Sequence, residues 1–437
     1  MAEQLKIGGR GGLLGILERA SSDPCSLRFW YDPVYSAWKH AMPLSITMPV
    51  PFDIEGSRRV LRIYEGPQVY SWFLNLLPED EQLPKFANAL NQATTDVFGI
   101  LAKAGGDLGG AVRVAHASPS TDDQPHYELL SPAELAAALR RVPSRPLLAG
   151  ENGVQMSAAG HQPKTGVRLY PDGRIAQPKF GAASTHILKP EGENTIPGCV
   201  ENELFCLRLA KAVGLNAVDA MAGVAEEIQY LCVKRYDREN ATEEIVARLH
   251  QEDLCQATGL PPSKKYQSGV SHDNGTASLA KCFQALQSGV PHPEVRSRDL
   301  LNAVIFNVLI DNTDAHAKNY SLVFHDPPRI ELAPLYDLMH TTVYGGIEEK
   351  MAMFVGEQKI GRHIRHRHWE RFARTVGCDP ETTVLRVEEL ARKTLAKLPI
   401  VTETVCAEVR NSDFVREVST RVLSRCKLTI SNLSVQI

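Results

Sequence analysis

The sequence predicts an α+β protein in which a β-rich segment, a mixed β/α segment and a helical segment follow one another. Three observations carry this prediction. Strand-like runs punctuated by glycine and proline dominate the first part of the chain, strand-like runs accompany a helix in the middle, and helix-like segments dominate the end. A length of 437 residues is enough for two or three domains, and we place the boundaries at residues 1–115, 116–240 and 241–437.

The first segment is predicted to form short strands followed by a helix. The strand candidates are LKI, LLGIL, SLRFWY and LSITMPV, and the helix candidate VYSWFLNLL ends at Pro78. The glycine-rich residues 8–15 lack a Walker lysine, and residues 105–110 have no helix after them, so both indicate turns rather than phosphate cradles. The polar residues 117–126 are typical of a linker.

The middle segment begins with a helix whose start is marked in the sequence. Ser131 can cap it, Pro132 suits its first turn and Glu134 can complete a capping box. The strand candidates that follow are VQMSAAG, TGVRLY, RIAQP, HILKP and IQYLCVKRY, and Asp172-Gly173 predicts a hairpin between two of them. In the last segment the helix candidates are SLAKCFQALQ, RDLLNAVIFNVLI and ETTVLRVEELARKTLAKL.

The composition excludes several classes of protein. With 43% hydrophobic and 23% charged residues, the chain is neither disordered nor fibrous. A net charge of −3 argues against coating of nucleic acid by bulk electrostatics. The sequence shows no secretory signal and no apolar run of about 20 residues, and its nine cysteines are scattered without a CxxC pair. We therefore expect a soluble cytoplasmic protein with reduced thiols and no membrane partner.

The sharpest chemical signal is the polar run DNTDAHAKNY, residues 311–320, which directly follows the apolar residues 300–310. Asp314 and Asn319 have the spacing that protein kinases use for a catalytic aspartate and a metal-binding asparagine. Asp337 in the later run PLYDL is the candidate for the main Mg²⁺ ligand. A polar helix end with local Asx turns is the structural alternative for the first run, and a turn or cap is the alternative for Asp337.

A lysine and a glutamate fit the same chemistry. Lys189 lies in the strand candidate HILKP, and Glu203 shares the apolar face of the next helix with Leu207 and Ala210. A carboxylate on such a face is costly unless it is paired, so Lys189 is its natural partner. In a kinase this lysine holds the α- and β-phosphates of ATP. The structural alternative is a surface lysine and a glutamate at the helix rim.

Residues 156–165, MSAAGHQPKT, are a third candidate element. Their small side chains would let backbone N–H groups approach a phosphate. Taken alone, the run is better explained as a plain β-turn, and it gains meaning only beside the other motifs.

Together these motifs resemble the HipA family of bacterial serine/threonine kinase toxins. The resemblance rests on MSAAGHQPKT, HILKP, ENELFCLRLAKAVGL, VKRYDR, DNTDAHAKN and PLYDLMHT, with a looser N-terminal match in LSITMP, WFLNLLPE and GGAVRV. It covers nearly the whole chain, although His161 and Pro163 depart from the family pattern. It implies a two-lobed protein-kinase-like fold with an extra N-terminal β-rich subdomain and an all-helical C-terminal lobe.

The resemblance also implies roles for individual residues. Asp314 would be the catalytic aspartate, Lys189 with Glu203 would hold the ATP phosphates, and Asn319 and Asp337 would bind Mg²⁺. The residues implied to bind ATP are Ala158, Ala159, Gly160, His161, Gln162, Lys164, Lys189, Lys234, Arg235, Tyr236, His316, Lys318, Asn319, Tyr336 and Asp337. Residues 233–236 would form the hinge that meets adenine, and His316 and Lys318 would contact phosphates or order their loop.

Regulation and partners follow from the same resemblance. Ser157 would be autophosphorylated in trans, and the added charge of about −1.5 to −2 beside the ATP phosphates should eject the loop. The implied substrate is an aminoacyl-tRNA synthetase, with the glutamyl enzyme favoured over the tryptophanyl one. Phosphorylation would block charging and trigger the stringent response and persistence. A HipB-like helix-turn-helix antitoxin would join the chain on operator DNA, repressing the operon. The basic residues 361–369 could touch that DNA, but a solvated loop or helix start explains them better.

Two other functions stay open on the sequence. Asp311, Asp314 and His316 have a D-x-x-D-x-H spacing that could hold a divalent cation in a metal-dependent hydrolase. A non-catalytic co-repressor that only covers the antitoxin on DNA is the second alternative, although it would have no need of the kinase-like residues.

Overall fold

The computed structural model describes residues 3–51, 61–115, 124–192, 195–240, 242, 245–271, 274–287, 293–326, 329–347 and 349–434. The strands are β1 (Glu3–Gly9), β2 (Gly12–Arg19), β3 (Leu27–Tyr31), β4 (Ile63–Glu65), β5 (Arg113–Ala115), β6 (His126–Leu130), β7 (Thr165–Leu169), β8 (Ile175–Lys179), β9 (His186–Pro190), β10 (Ala220–Ala225), β11 (Ile228–Lys234), β12 (Arg238–Asn240), β13 (Val246–Arg248), β14 (His250–Asp253), β15 (Ser321–His325), β16 (Arg329–Leu332), β17 (Lys350–Val355) and β18 (Gln358–Ile360). The helices are α1 (Pro33–Ala37), α2 (Pro67–Leu74), α3 (Gln82–Ala89), α4 (Val97–Ala104), α5 (Pro132–Arg141), α6 (Cys199–Ala212), α7 (Leu254–Ala257), α8 (Leu279–Gln287), α9 (Pro293–Leu309), α10 (His366–Val376), α11 (Pro380–Cys406) and α12 (Ser412–Ser434).

The N-terminal part forms an antiparallel sheet in the order β4-β3-β2-β1-β5, with α2 and α4 packed nearby. The predicted glycine-rich hairpin joins β1 and β2, and residues 105–110 form a turn as expected. The run LSITMPV is not a strand, so that prediction is wrong. Tyr31 explains the difference, because its hydroxyl accepts a hydrogen bond from Leu44 N and donates one to Met48 O. These backbone groups are satisfied inside a turn and need no neighbouring strand.

The middle part forms a second antiparallel sheet, in the order β10-β11-β9-β7-β8-β6. The predicted hairpin pairs Leu169 with Ile175, and α5 starts with the predicted capping box of Ser131 and Glu134. The run VQMSAAG is a loop rather than a strand, because only isolated bridges hold it, such as the one between Asp107 and Met156. The predicted linker at residues 117–126 lies largely outside the described residues.

The last part contains α8, α9 and α11 at the predicted helical segments. The overall α+β class is therefore confirmed, but the expectation of an all-helical lobe is wrong in detail. Strands β14, β15 and β16 form a small antiparallel sheet, and β17 pairs with β18. The strand-like run at residues 329–332, expected before Asp337, is present as β16, whereas the other short strands alternate with loops that carry polar site residues and were not predicted.

The largest apolar core joins α6 to the helices of the last part, with Phe205, Phe283, Phe306 and Trp369 fully buried. A second core lies under the N-terminal sheet. All nine cysteines are free thiols and six of them are buried, as expected for reduced thiols. Within the part of the chain described here, every helix is too short or too polar to cross a membrane. The domain boundaries at 115/116 and 240/241 stay a prediction.

Candidate active site

A cavity of about 850 Å³ opens where the N-terminal part, the six-stranded sheet and the helical part meet. Its wall includes every residue that the sequence analysis assigned to ATP binding or catalysis. They come from β9, α6, the end of β11, and the loops around residues 158–164, 314–319 and 336–337. Ser157 is the predicted site residue that does not line the cavity.

Lys189 is the electrostatic centre of this cavity. Its Nζ lies 2.7 Å from Glu203 Oε1 and 2.5 Å from Asp337 Oδ1. The pairing with Glu203 that the sequence predicted is thus present, and both side chains are buried. Burial by itself lowers the pKa of Lys189, but the two carboxylates outweigh it and raise that pKa above its ordinary value. The lysine is therefore charged and held between two fixed acidic groups.

The contact with Lys189 also affects the ionisation of Asp337. Although burial opposes its ionisation, Lys189 and Lys164 hold the pKa of Asp337 well below its usual range. Its backbone is left-handed, with φ 55°, as is that of Asp311, with φ 54°. Such strained positions in non-glycine residues cluster at functional sites.

The loop at residues 158–164 folds over one end of the cavity. Lys164 Nζ donates to Ala159 O at 2.7 Å, which ties the loop into a tight turn. Gly160 has φ +111°, and a Cβ built there would lie 2.3 Å from Lys164 Nζ, so only glycine fits this turn. Burial lowers the pKa of Lys164 to about 8. His161, by contrast, is exposed near Asp80.

The catalytic-loop candidates also line the cavity. Asp314 is exposed, and its Oδ1 accepts a hydrogen bond of 2.5 Å from the Tyr266 hydroxyl. Asn319 Nδ2 donates to Asp314 O at 3.0 Å, which leaves the Asn319 amide oxygen as a ligand atom. His316 packs edge-on against Tyr266 and is buried, and its Nδ1 has no hydrogen-bond partner among the described residues.

Lys318 is turned away from the cavity centre. Its Nζ donates to Asp253 Oδ2 at 2.6 Å and to Asn75 Oδ1 at 2.8 Å, and it is almost completely buried. These hydrogen bonds hold Lys318 to two other segments of the chain, and its contact with phosphates stays a prediction. Tyr336 contributes to the same ordering, because its hydroxyl donates to Lys318 O at 2.7 Å.

The predicted hinge ends β11. Tyr236 stacks on Tyr336 with ring centroids 5.7 Å apart, and its hydroxyl donates to Gln251 Oε1 at 2.5 Å. The Arg235 side chain instead forms a buried ion cluster, in which Nη2 lies 2.8 Å from Asp237 Oδ2 and Nη1 lies 3.5 Å from Asp107 Oδ2. The Arg235 side chain is thereby committed to structure, so only its backbone is left for a nucleotide.

Ser157 is fully buried beneath the loop. Its Oγ donates to Leu76 O at 2.9 Å, and its backbone N donates to Asp107 O. In this conformation the hydroxyl cannot reach a kinase active site, so its phosphorylation requires the loop to leave its position.

Asp311, Asp314 and His316, the residues of the hydrolase alternative, do not come together at one site. Asp311 is buried outside the cavity, with Oδ1 2.6 Å from Arg425 Nη2 and Oδ2 bound by the Thr342 hydroxyl, whereas Asp314 and His316 line the cavity. In the described ranges no group of three His, Cys, Asp or Glu side chains converges as a metal cluster. The basic run is a 3₁₀ turn followed by the start of α10, in which Arg362 pairs with Glu349.

The structure also reveals site residues that sequence reasoning missed. Asn75, Glu79 and Asp80 come from the N-terminal part, and Lys265 and Tyr266 come from the loop after α7; all five line the cavity. Lys318 and Asn75 are 243 positions apart. No spacing rule links such distant residues, and the only hint is the clustering of polar side chains beside apolar helices.

Comparison with known proteins agrees with this geometry. Family models match residues 5–115 as the HipA N-terminal domain and residues 156–398 as the HipA-like C-terminal domain. The chain is 35% identical over 410 residues to the putative kinase Y4mE of Sinorhizobium fredii, which covers 92% of each chain. It is 27% identical over 428 residues to the serine/threonine-protein kinase toxin HipA of Shewanella oneidensis, covering 93% of this chain and 91% of the relative.

Among solved structures, the fold matches HipA of Shewanella oneidensis, determined with HipB and operator DNA. The TM-score is 0.80 at 24% identity, covering 99% of this chain and 100% of the other. The fold and the cavity therefore define a kinase-like protein of the serine/threonine class. The chain belongs to the HipA family of serine/threonine-protein kinase toxins.

Proposed function

We propose that this chain transfers the γ-phosphate of ATP to a serine or threonine hydroxyl of another protein, with Mg²⁺ as the cofactor. The observation that carries the proposal is the position of Lys189 between Glu203 and Asp337, in the same cavity that Asp314 lines. In kinases this lysine–glutamate pair and the metal-binding aspartate must both be in place before phosphate is transferred. The hinge at residues 233–236 and the loop at residues 158–164 would hold the two ends of the nucleotide.

Asn319 and Asp337 fit a magnesium site. Both present oxygen atoms to the cavity, and amide and carboxylate oxygens are the ligands that Mg²⁺ prefers. A bound Mg²⁺ ion would neutralise charge on the β- and γ-phosphates. The depressed pKa of Asp337 keeps its carboxylate ionised for this task.

Asp314 is the base of the proposed transfer. The acceptor oxygen forms a bond to the γ-phosphorus, the bond from that phosphorus to the leaving oxygen of ADP breaks, and the acceptor proton passes to the Asp314 carboxylate. Asp314 is exposed at the cavity mouth, so a hydroxyl on a large protein substrate can reach it. His316, two positions further along the chain, also lines the cavity and would be the nearby candidate to contact the transferring phosphate.

We propose an aminoacyl-tRNA synthetase as the substrate, the glutamyl enzyme first, so that phosphorylation would stop charging and lead to the stringent response and persistence. This choice of substrate rests on family membership, since the side chains that line the cavity do not indicate which protein is phosphorylated. An exposed Asp314 is compatible with such a large folded substrate.

Autophosphorylation of Ser157 would switch the enzyme off. The serine sits against the carbonyl oxygens of Leu76 and Asp107 in a closed space. A phosphate added there would bring about −1.5 to −2 charges against two acceptors, so the loop could not return. The cavity would then lose the wall formed by residues 158–164.

We also propose that a HipB-like antitoxin binds this chain and that the complex represses its operon on DNA. The support is the fold shared with a HipA that was determined with HipB and operator DNA. A net charge of −3 fits a protein that reaches DNA mainly through its partner.

Incubation of the purified full chain with γ-labelled ATP, Mg²⁺ and candidate synthetases tests the proposal. Label should appear on a synthetase and on Ser157, and the Asp314→Asn variant should transfer at least about 10²-fold more slowly, because it lacks the base. Release of free phosphate without protein labelling would contradict the proposed transfer to a protein. Growth arrest that persists unchanged in Asp314→Asn would favour the co-repressor.

A further inference from the structure

Residues 75–80, NLLPED, connect α2 to α3 in the N-terminal part and contact both functional loops of the cavity. We call these residues the bracket. Asn75, Leu76 and Glu79 are at most 4% exposed although they are polar or border the cavity. Buried polar groups are almost always hydrogen-bonded. The hydrogen-bond partners of the bracket therefore indicate its role.

The first partner is the phosphate loop. Leu76 O accepts the hydrogen bond of 2.9 Å from Ser157 Oγ, and Glu79 N donates to Gly160 O at 3.3 Å. Pro78 and Gly160 form an isolated parallel bridge. The bracket is therefore joined to the phosphate loop by two hydrogen bonds and an isolated bridge.

The second partner is the catalytic loop, reached through Lys318. Asn75 accepts from Lys318 Nζ with its Oδ1 at 2.8 Å and its backbone O at 3.0 Å. The Asn75 amide nitrogen is fixed in turn by Ser71 O and Leu260 O. Lys318 directly precedes Asn319, so its anchoring holds the proposed metal ligand in place.

The third partner is the segment that touches the proposed base. Glu79 Oε2 lies 2.6 Å from Lys265 Nζ, and Asp80 Oδ2 lies 3.1 Å from the same atom. The next residue, Tyr266, donates its hydroxyl to Asp314 Oδ1. Although burial opposes ionisation, Lys318 and Lys265 lower the pKa of Glu79 to about 2, so this ion pair persists at neutral pH.

We infer that Asn75 and Glu79 are positioning residues of the kinase reaction. Asn75 acts through Lys318 and Glu79 acts through Lys265 and Tyr266, and together they hold the catalytic loop in a fixed relation to the phosphate loop. The inference deepens the proposed function and rests on it. Its consequence is that the N-terminal part completes the active site, and that departure of the phosphate loop also loosens the catalytic loop.

Glu79→Gln in the full chain tests the inference, with Glu81→Gln as the matched control because Glu81 is exposed and caps nothing with its side chain. Glu79→Gln should lower kcat at least tenfold, whereas its KM for ATP should stay within about twofold because Lys189, Asp337 and the hinge are untouched. Glu81→Gln should match the wild type. A Glu79→Gln enzyme that is folded, by its thermal unfolding midpoint, and fully active would overturn the inference.

Two further measurements separate positioning from simple destabilisation. The double variant Glu79→Gln with Lys265→Met should be no slower than the worse single variant, because the pair acts as a unit; additive losses would count against the pair. Hydrogen exchange should be faster at residues 314–319 in Glu79→Gln than in Glu81→Gln, whether or not the chain phosphorylates anything. Absence of phosphoryl transfer by the wild-type chain would contradict the proposed function. Equal hydrogen exchange at residues 314–319 in Glu79→Gln and Glu81→Gln would contradict the positioning role of the bracket.

Discussion

The hydroxyl of Tyr266 lies 2.5 Å from Oδ1 of Asp314 and donates a hydrogen bond to it. One carboxylate oxygen of the proposed base is thus occupied, and the other, which has no hydrogen-bond donor among the described residues, can accept a proton from a substrate. The hydrogen bond from Tyr266 orients the carboxylate. Tyr266 therefore fixes the direction from which an acceptor hydroxyl must approach.

Tyr266→Phe is expected to lower kcat about three- to tenfold and to leave the KM for ATP unchanged, because the ring stays while the orienting hydroxyl is lost. Steady-state phosphorylation of a protein substrate checks this. Tyr170→Phe is the control, since Tyr170 lies outside the residues that line the cavity. Equal rates in the two variants would show that Asp314 needs no such orientation.

Lys189→Met is expected to reduce phosphoryl transfer by at least about 10²-fold and to weaken ATP binding, because the cation for the phosphates is lost. It also leaves Glu203 buried without its partner, so we expect stability to fall by about 3–5 kcal/mol. Calorimetric ATP titration and urea unfolding measure the two effects. Lys179→Met, in strand β8 of the same sheet, should keep the transfer rate, since Lys179 pairs with Glu128 and does not line the cavity. Retained transfer in Lys189→Met would remove this lysine from the site.

From the lowered pKa of Lys164 we expect nucleotide binding to depend on pH. Its pKa is lowered to about 8, so the amine is charged below that pH and becomes neutral as the pH rises through it. Affinity for a non-hydrolysable ATP analogue should therefore fall up to about tenfold between pH 7 and pH 9. Lys164→Arg should bind without this loss, because arginine stays charged. A wild-type affinity that is flat over this range would show that Lys164 does not contact the phosphates.

The ion pairs of Asp107 indicate which contacts stabilise the hinge. It is buried within 3.6 Å of guanidinium nitrogens of Arg235, Arg238 and Arg248. Although burial opposes ionisation, these arginines lower its pKa to about 2, so its stabilising contribution is present above the unfolded value near 3.8 and is lost as the pH falls towards 2.

Asp107→Asn should accordingly destabilise the chain by about 3–5 kcal/mol at pH 7, because it leaves the cluster with too few negative charges. Urea unfolding at pH 7 checks the value. Asp172→Asn, in the exposed hairpin turn, should leave the unfolding midpoint unchanged. An equal unfolding midpoint for Asp107→Asn and the wild type would mean that other groups balance the positive charge of the three arginines.

The amino-acid sequence by itself determined the features that depend on near neighbours in the chain. The capping box at Ser131, the hairpin at Asp172-Gly173, the helices of the last part and the five-residue spacing of Asp314 and Asn319 are local patterns. The pairing of Lys189 with Glu203 could also be predicted, because a charge on an apolar helix face requires a partner.

Only the tertiary structure decided which distant groups satisfy one another. Tyr31 holds LSITMPV in a turn, Lys318 donates to Asn75 and Asp253, and Ser157 is buried against Leu76. These outcomes depend on how the N-terminal part packs on the two lobes. A buried polar group takes whichever partner that packing brings within hydrogen-bond distance, and a one-dimensional pattern does not contain this information.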